Sequence, residues 1–206
     1  MKYGVYTRMN RRIVSGIIFL MFLAASVHAQ NGSGFLSDKN IFVLDVQDHF
    51  TTRELTRDAS DNLIRNINKI LDKANPDRVM YFQTIIRQLN ISFKGIHLVP
   101  LPDLGYDKRL NFVGNFFIKK YKEDAFSAEA TNQLLDKYKG GEIIVMGLMA
   151  EGSVTATVLS ALGNGYSVVI IPETIEGKST NSKERVLEKL QKKGAKIIHL
   201  SEIINP

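Results

Sequence analysis

The sequence predicts a three-layer, doubly wound α/β fold with a mostly parallel sheet of about six strands. Continuous apolar runs, typical of strands that are buried on both faces, recur along the chain. Segments with apolar residues at helical spacing lie between these runs. The clearest unit runs from Glu142 to Glu173, where strand, turn, helix and strand follow one another. This order indicates a right-handed βαβ crossover between parallel strands.

The remaining elements alternate in the order that such a fold requires. The pattern is weakest in residues 87–114. Residues 96–101 are a short extended piece at most, because Pro100 and Pro102 argue against a central strand. Residues 103–107 form a turn. The predicted strands are residues 41–47, 78–86, 115–121, 143–146, 168–171 and 196–200. The predicted helices are residues 57–74, 131–139, 154–162 and 182–193.

The N-terminus has the pattern of a secretory signal peptide. Arg8, Arg11 and Arg12 precede an apolar run, residues 13–25, and a small-residue ending at Ala29 follows. The run is shorter than the roughly 20 residues that a membrane span needs, which argues against the alternative of an anchor. We therefore expect a signal peptide at 1–29, a flexible lead-in at 30–39 and one domain at 40–206. The mature protein would be periplasmic or secreted, with no membrane contact after cleavage.

Composition excludes several classes of site. The chain has no cysteine, so it has neither a disulfide nor a thiolate nucleophile. Residues 1–29 contain four basic residues and no acidic one, so the formal charge of +6 falls to +2 on cleavage and gives little support for nucleic-acid binding. The histidines of the mature chain, His49, His97 and His199, lack metal-binding spacing. We expect neither a metal nor a cofactor.

Three polar residues stand where a parallel sheet would carry its chemistry, at the carboxyl ends of strands. Asp45 interrupts an apolar run, where burial requires a partner, although an Asp that caps a turn is an alternative. Lys120 ends the third predicted strand, and alternation places it on the same face as Ile118, although a solvated lysine is again an alternative. Ser153 lies at the first turn of a predicted helix, where free backbone N–H groups favour negative charge.

These positions belong to three motifs that resemble the isochorismatase-like superfamily of cysteine hydrolases, which includes isochorismatases, nicotinamidases and N-carbamoyl-amide hydrolases. In that superfamily a cysteine stands at the position of Ser153. The matching residues are Asp45, Gln47 and Phe50 of the first-strand signature, Lys120 with the pair Ala125-Phe126, and Gly147, Val154, Thr157, Ala161, Gly165 and Tyr166 of the central stretch.

The resemblance implies a role for each site residue. Asp45 would be the acid/base, Lys120 its charge partner, and Ser153 the residue in the nucleophile position. The oxyanion would be bound by the backbone N–H groups of Met149 and Ser153, presented across a cis peptide between Leu148 and Met149. The candidates for the substrate pocket are Gln47, Phe50 and Phe126.

The implied function is an exported hydrolase that acts on a C–N amide or related bond of a small molecule. A serine hydroxyl is a far weaker acid than a thiol, and a carboxylate held by a lysine is a weak base, so we expect slow hydrolysis. A non-catalytic domain of the same fold that binds a small ligand is the alternative. The sequence does not decide whether the serine is natural or engineered. A homo-oligomer is expected only from the habit of the family.

Overall fold

Eight strands and six helices form the fold in the computed structural model, which describes residues 34–93, 95–100, 104–137 and 141–204. The strands are β1 (Asn40–Leu44), β2 (Val79–Thr84), β3 (Arg87–Ser92), β4 (Gly95–Pro100), β5 (Phe116–Lys120), β6 (Ile143–Gly147), β7 (Val168–Ile175) and β8 (Lys196–Ile197). The helices are α1 (Asp48–Arg53), α2 (Arg57–Leu71), α3 (Glu129–Lys137), α4 (Thr155–Gly163), α5 (Thr180–Lys192) and α6 (Leu200–Ile204).

The main sheet has six strands in the order β5-β2-β1-β6-β7-β8, and every neighbouring pair is parallel. Helices α2 and α6 pack on one face, where α2 contributes a stripe of buried residues from Leu63 to Leu71 at helical spacing. Helices α3, α4 and α5 pack on the other face. The predicted three-layer, doubly wound architecture is confirmed.

The chain order places a crevice between β1 and β6. From β1 the chain builds the sheet outward to β5, then returns to β6 and builds in the opposite direction to β8. Loops after β1 and β6 therefore leave the sheet to opposite sides, and ligands bind at such a switch point. Gly147 ends β6 at φ +115°, and a Cβ there would lie 2.1 Å from the Leu44 carbonyl oxygen. Only glycine allows this close approach of the two strand ends.

Three elements differ from the prediction. The short helix α1 was not among the predicted elements. The last predicted strand is wrong at its end, because it stops at Ile197 and Leu200 begins α6. Glu202 explains the helix: its carboxylate accepts the backbone N–H of His199 at 2.8 Å, as the third helical residue does in a capping box. Residues 87–100, where only a short extended piece was expected, form the antiparallel β3–β4 hairpin.

The predicted signal peptide and residues 30–33 of the lead-in lie outside the described residues. Residues 35–38 form a turn, and Leu36 is buried in the core on the α2 side of the sheet. Residues from Phe35 onward form one compact unit. Among the described residues, no helix is long and apolar enough to cross a membrane.

Candidate active site

Asp45 leaves β1 at the switch point with its side chain buried. Its backbone has φ +53°, a left-handed conformation that Asp and Asn tolerate better than most residues. The backbone N–H of Asp45 still donates to the Phe82 carbonyl of β2 at 3.0 Å. The chain therefore turns away from the sheet immediately after β1, and the carboxylate stays at the carboxyl edge of the sheet.

Lys120 is the last residue of β5 and is almost fully buried, with 1% of its surface exposed. Along β5, Ile118 and Lys120 are buried, whereas Phe117 and Lys119 are exposed. The predicted alternation is therefore confirmed, and it is Lys120 rather than Lys119 that points inward. A buried ammonium group is costly unless it is paired, so its partners define the site.

Ser153 lies in a wide helical turn, Ala150–Val154, that follows β6 and leads into α4. The peptide bond between Leu148 and Met149 is cis, at the position that the resemblance implies. The neighbouring backbone amides of Ala150 and Gly152 donate to carbonyl oxygens, those of Glu176 and Met149. This turn places Ser153 over the end of β1, 108 residues away in sequence from Asp45.

The three predicted catalytic residues meet in one hydrogen-bonded cluster. The Ser153 hydroxyl donates to Asp45 Oδ2 at 2.5 Å. The Lys120 ammonium donates to the same Oδ2 at 2.8 Å and to Ser153 Oγ at 3.1 Å. A serine oxygen that contacts both a carboxylate and an ammonium has a proton acceptor on one side and a positive charge on the other. That is the arrangement a hydroxyl needs in order to act as a nucleophile.

Thr84 completes the cluster, and the sequence analysis did not identify it. Its hydroxyl donates to Asp45 Oδ1 at 2.9 Å and accepts from Lys120 Nζ at 2.6 Å. Lys120 also donates to the Lys122 carbonyl at 3.3 Å. The signal that could have found Thr84 is its place as the last residue of a buried strand, at the same edge of the sheet as Asp45 and Lys120.

The cluster opens into a cavity of about 160 Å³. Its polar groups come from Asp45, Thr84 and Ser153, and a further carboxylate comes from Glu123 on the loop after β5. The remaining lining residues are Phe50, Leu148, Met149 and Gly152. The reactive cluster therefore faces a small space with one apolar wall, as a site for a small molecule should.

Only one of the three predicted pocket residues lines this cavity. Phe50 does. Gln47 does not: its side-chain amide donates to the Leu104 carbonyl at 2.9 Å and accepts from the Thr84 backbone N–H at 2.9 Å. Phe126 packs in the core on the other face, against Phe42. Gln47 and Phe126 therefore lie outside the lining of this cavity, and their role as pocket residues stays a prediction.

Two residues of the predicted motifs hold the loop after Lys120 in place. The backbone N–H of Ala125 donates to the Thr157 hydroxyl of α4 at 3.0 Å. The preceding residue, Asp124, accepts from the Ser160 hydroxyl of the same helix at 2.6 Å. Because α4 also follows Ser153, these bonds fix the loop from β5 relative to the turn that carries the serine.

A second cavity, of about 350 Å³, lies next to α1 and α2, and Arg57 and Arg109 are among its lining residues. Both guanidinium groups form ion pairs with Asp61. Arg109 also pairs with the buried Asp107. Burial by itself raises the pKa of this carboxyl, but the hydrogen bonds from Arg109 and Thr51 outweigh burial and lower the pKa to about 2. The guanidinium charges of this larger cavity are thus already paired, whereas the smaller cavity holds the reactive cluster.

A metal centre is not evident at either cavity. In the described part of the chain, no group of three or more His, Asp or Glu side chains is arranged to hold a metal ion. Of the two acidic residues of the smaller cavity, Asp45 and Glu123, the first already binds the buried Lys120 ammonium.

Fold and site together define an α/β protein with a buried Asp–Lys–hydroxyl cluster at the switch point of a parallel sheet. The family model for the isochorismatase domain matches residues 39–202. The chain therefore belongs to the isochorismatase family, whose members are generally hydrolases. No curated protein matches the chain in a sequence comparison.

Solved structures support the same fold at low sequence identity. An isochorismatase-like hydrolase from Alkaliphilus metalliredigens is 16% identical, with a TM-score of 0.65 over 81% of this chain and 96% of the other. A nicotinamidase/pyrazinamidase from Acinetobacter baumanii is 17% identical, with a TM-score of 0.60 over 80% and 97%. A pyrazinamidase from Pyrococcus horikoshii, solved with zinc, is 21% identical, with a TM-score of 0.61 over 79% and 99%.

Proposed function

We propose that this protein is an exported hydrolase that cleaves a C–N amide bond of a small molecule, with Ser153 in the position of the nucleophile. The single observation that carries the proposal is the contact of Ser153 Oγ with both Asp45 and Lys120 at the wall of a cavity. The structural neighbours that are named as nicotinamidase or pyrazinamidase favour an amide as the bond that is cleaved.

In the proposed first step, Asp45 removes the proton from Ser153 Oγ while the oxygen attacks the amide carbonyl carbon. Lys120 is bonded to Asp45 and offers positive charge to the serine oxygen as that oxygen loses its proton. The backbone N–H groups of Met149 and Ser153 would bind the oxyanion of the tetrahedral intermediate. When that intermediate collapses, Asp45 returns the proton to the leaving nitrogen, and an acyl ester remains on Ser153.

In the second step, water hydrolyses the ester and Asp45 again acts as the base. The carboxylate accepts a proton from the water as its oxygen attacks, and then returns that proton to Ser153 Oγ. Thr84 holds the second oxygen of Asp45 through both steps. The cycle releases an amine or ammonia together with a carboxylic acid, and it uses no cofactor.

Slow turnover follows from the same contacts. The Lys120 ammonium donates to Oδ2 of Asp45, the same oxygen that must accept the proton of Ser153. A serine hydroxyl is also far harder to deprotonate than a thiol, whose pKa is about 8.5. These two facts favour, as the second candidate function, a domain that binds the small ligand and does not hydrolyse it.

Release of ammonia from a panel of small amides, nicotinamide included, separates the two functions. We expect slow release by the native protein, none by Asp45→Asn, and release at least about 100-fold faster by Ser153→Cys. Ligands that raise the melting temperature without turnover by either the native protein or Ser153→Cys would establish the binding function instead.

Export rests on the N-terminal sequence. The proposal places the mature protein in the periplasm or outside the cell, after cleavage that follows Ala29. Mass spectrometry of the N-terminus of protein recovered from the exported fraction tests it. An intact N-terminus in the cytoplasmic fraction would contradict export and would leave the chemistry of the site unaffected.

A further inference from the structure

Glu123 places a carboxylate without a partner at the rim of the active-site cavity. It lies three residues after Lys120, is solvent-exposed and lines the cavity together with Asp45 and Ser153. Within the described residues, no hydrogen bond or ion pair to its side chain is found. Asp45, in contrast, is bonded to Lys120, Thr84 and Ser153.

The local backbone makes room for this carboxylate. Gly152 directly precedes Ser153, and a Cβ at Gly152 would lie 3.0 Å from Glu123 Oε1. Any larger side chain at residue 152 would therefore push Glu123 away from the cavity. A glycine next to the nucleophile position thus brings an acidic group close to the place where substrate must lie.

The charge balance of the cavity follows from these contacts. The negative charge of Asp45 is matched by Lys120, whereas that of Glu123 is not matched by any described side chain. A ligand that reaches Ser153 therefore meets a net negative rim, with apolar contact from Phe50. A positive group on the ligand would be attracted there, and a carboxylate would be repelled.

We propose that Glu123 selects small amides that carry a cationic amine or amidine close to the reacting carbonyl, and that it excludes amides that carry a carboxylate. This inference rests on the proposed function, because it takes Ser153 as the point of attack. The cavity, at about 160 Å³, also limits the ligand to a size well below the ~300–1,000 Å³ of typical ligand pockets.

Three amides of similar length test the selection in the Ser153→Cys protein: β-alaninamide, which is cationic, butyramide, which has the same shape but no charge, and succinamate, which is anionic. We expect kcat/KM to be about tenfold higher for the cation than for butyramide, and lowest for succinamate. In Glu123→Gln the ratio of cation to butyramide should fall towards one. Glu184→Gln, an exposed acid on α5, is the matched control and should keep the ratio.

Equal rates for the cation and butyramide, or a ratio that Glu123→Gln does not change, would overturn the selection. If no amide is hydrolysed, the proposed function fails. Calorimetric binding of the same amides to the native protein then tests the role of Glu123 separately. Tighter binding of β-alaninamide than of butyramide, lost in Glu123→Gln, would then support the role of Glu123. Equal binding, or no binding at millimolar concentrations, would overturn it.

The β3–β4 hairpin has one apolar face that the described residues leave uncovered. Leu89 lies opposite Leu98, and Ile91 lies opposite Ile96. These four side chains are 58% to 73% exposed. The other face carries polar residues such as Asn90 opposite His97. Alternation of this kind is typical of a hairpin whose apolar face is buried.

We infer that a second copy of this chain covers the apolar face of the hairpin. An isologous interface buries the same patch on both copies, and this patch suits such an interface because all four of its side chains are apolar. No charged side chain in the patch calls for an opposite charge on a partner. With Phe93 at the turn, the apolar surface is on the order of 500 Å², a large part of the ~800 Å² that each partner buries in a standard interface.

Sedimentation of the purified protein tests this interface. We expect a dimer whose dissociation constant rises at least about 100-fold in Ile91→Lys, because a charge would be buried, and changes little in Asn90→Lys on the polar face of the same strand. A native protein that is monomeric at the highest soluble concentration would overturn the inference. Equal dimerisation of the two variants, or binding of the hairpin to lipid vesicles in its place, would also overturn it.

Discussion

Two buried carboxylates, Asp45 and Asp107, have closely similar partners and different surroundings. Asp45 binds one ammonium and accepts from the hydroxyls of Thr84 and Ser153. Asp107 binds the guanidinium of Arg109 and accepts from the hydroxyl of Thr51. Each carboxylate therefore has hydrogen-bond donors and a neighbouring cation. Both also lie beside a cavity, Asp45 directly and Asp107 through Thr51. Within the described residues, the Ser153 hydroxyl contacts both its acid and its cation, whereas the Thr51 hydroxyl is bonded to Asp107 and not to Arg109.

Hydrogen-bond and ion-pair partners alone therefore do not distinguish the two carboxylates. Asp107 joins its loop to α1 through Thr51, and its partner Arg109 joins the same loop to α2 through Ser60. The partners of Asp45 come from the ends of β2 and β5 and from the turn after β6, which converge at the switch point. We infer that Asp107 stabilises the fold and that Asp45 acts in catalysis.

The largest expected difference between the two acids is in activity. In the Ser153→Cys protein, Asp45→Asn should lower kcat/KM about 1,000-fold, because the amide cannot accept the proton. Asn suits the left-handed backbone at residue 45, and circular dichroism should show a native fold. Asp107→Asn should keep activity within about threefold. Similar losses in the two variants would remove the distinction.

The second difference is in stability and its dependence on pH. The lowered pKa of Asp107, about 2 against 3.8 for an ordinary Asp, means that its ionised form is stabilised by folding. Its contribution is therefore complete above about pH 5 and is lost as the pH falls through about 2. Asp107→Asn should lower the unfolding free energy by about 2 kcal/mol at pH 7 and by much less at pH 2 to 3. Urea unfolding at these pH values measures both. A pH-independent loss would contradict the ion-pair explanation.

Substitution of the threonine beside each acid, Thr84 or Thr51, removes one hydrogen bond and leaves the carboxylate in place. Thr84→Val should lower kcat/KM of the Ser153→Cys protein about tenfold, because Asp45 loses one of the bonds that orient it. Thr51→Val should lower the unfolding free energy by about 1 kcal/mol, because Asp107 loses a hydroxyl partner, and should leave kcat/KM unchanged. Each variant is the control for the other.

The smallest expected effect comes from an exposed pair. The hydrogen bond with Glu173 raises the pKa of His199, so the protonated form is favoured in the folded protein. The resulting stabilisation is present below the ordinary pKa of about 6.5 and is lost as the pH rises through the raised value. Between pH 6 and pH 9 the unfolding free energy should fall by at most about 0.5 kcal/mol as His199 loses its proton, and His199→Gln should abolish that change. A change that persists in His199→Gln would arise elsewhere.

The sequence predicts the sheet and the placement of Asp45, Lys120 and Ser153 because these depend on simple regularities. Apolar runs and helical periods define the alternating elements, parallel strands bring their carboxyl ends to one edge, and alternation within β5 distinguishes Lys120 from Lys119. The family motifs then supply their order along the chain.

Other parts of the site depend on tertiary contacts that no local pattern encodes. Gln47 matches a motif, yet its direction is set by the backbone of Thr84 and Leu104, both distant in sequence. Glu123 was missed because only the assembled cavity shows that it faces the reactive cluster, whereas the place of Thr84 at the end of a buried strand could have identified it. The hairpin was unclear because its apolar residues are not buried in this chain, so burial cannot explain their pattern.

Labelling of the native protein with the activated ester p-nitrophenyl acetate tests the central claim most directly. Peptide mapping by mass spectrometry should find the acetyl group on Ser153, and Ser153→Ala and Asp45→Asn should each lack it, whereas Asp107→Asn should retain it. An acetyl group at Ser153 that survives in Asp45→Asn would contradict the role of Asp45 as the base. Labelling that is equal in the native protein and Ser153→Ala would contradict the role of Ser153 as the nucleophile.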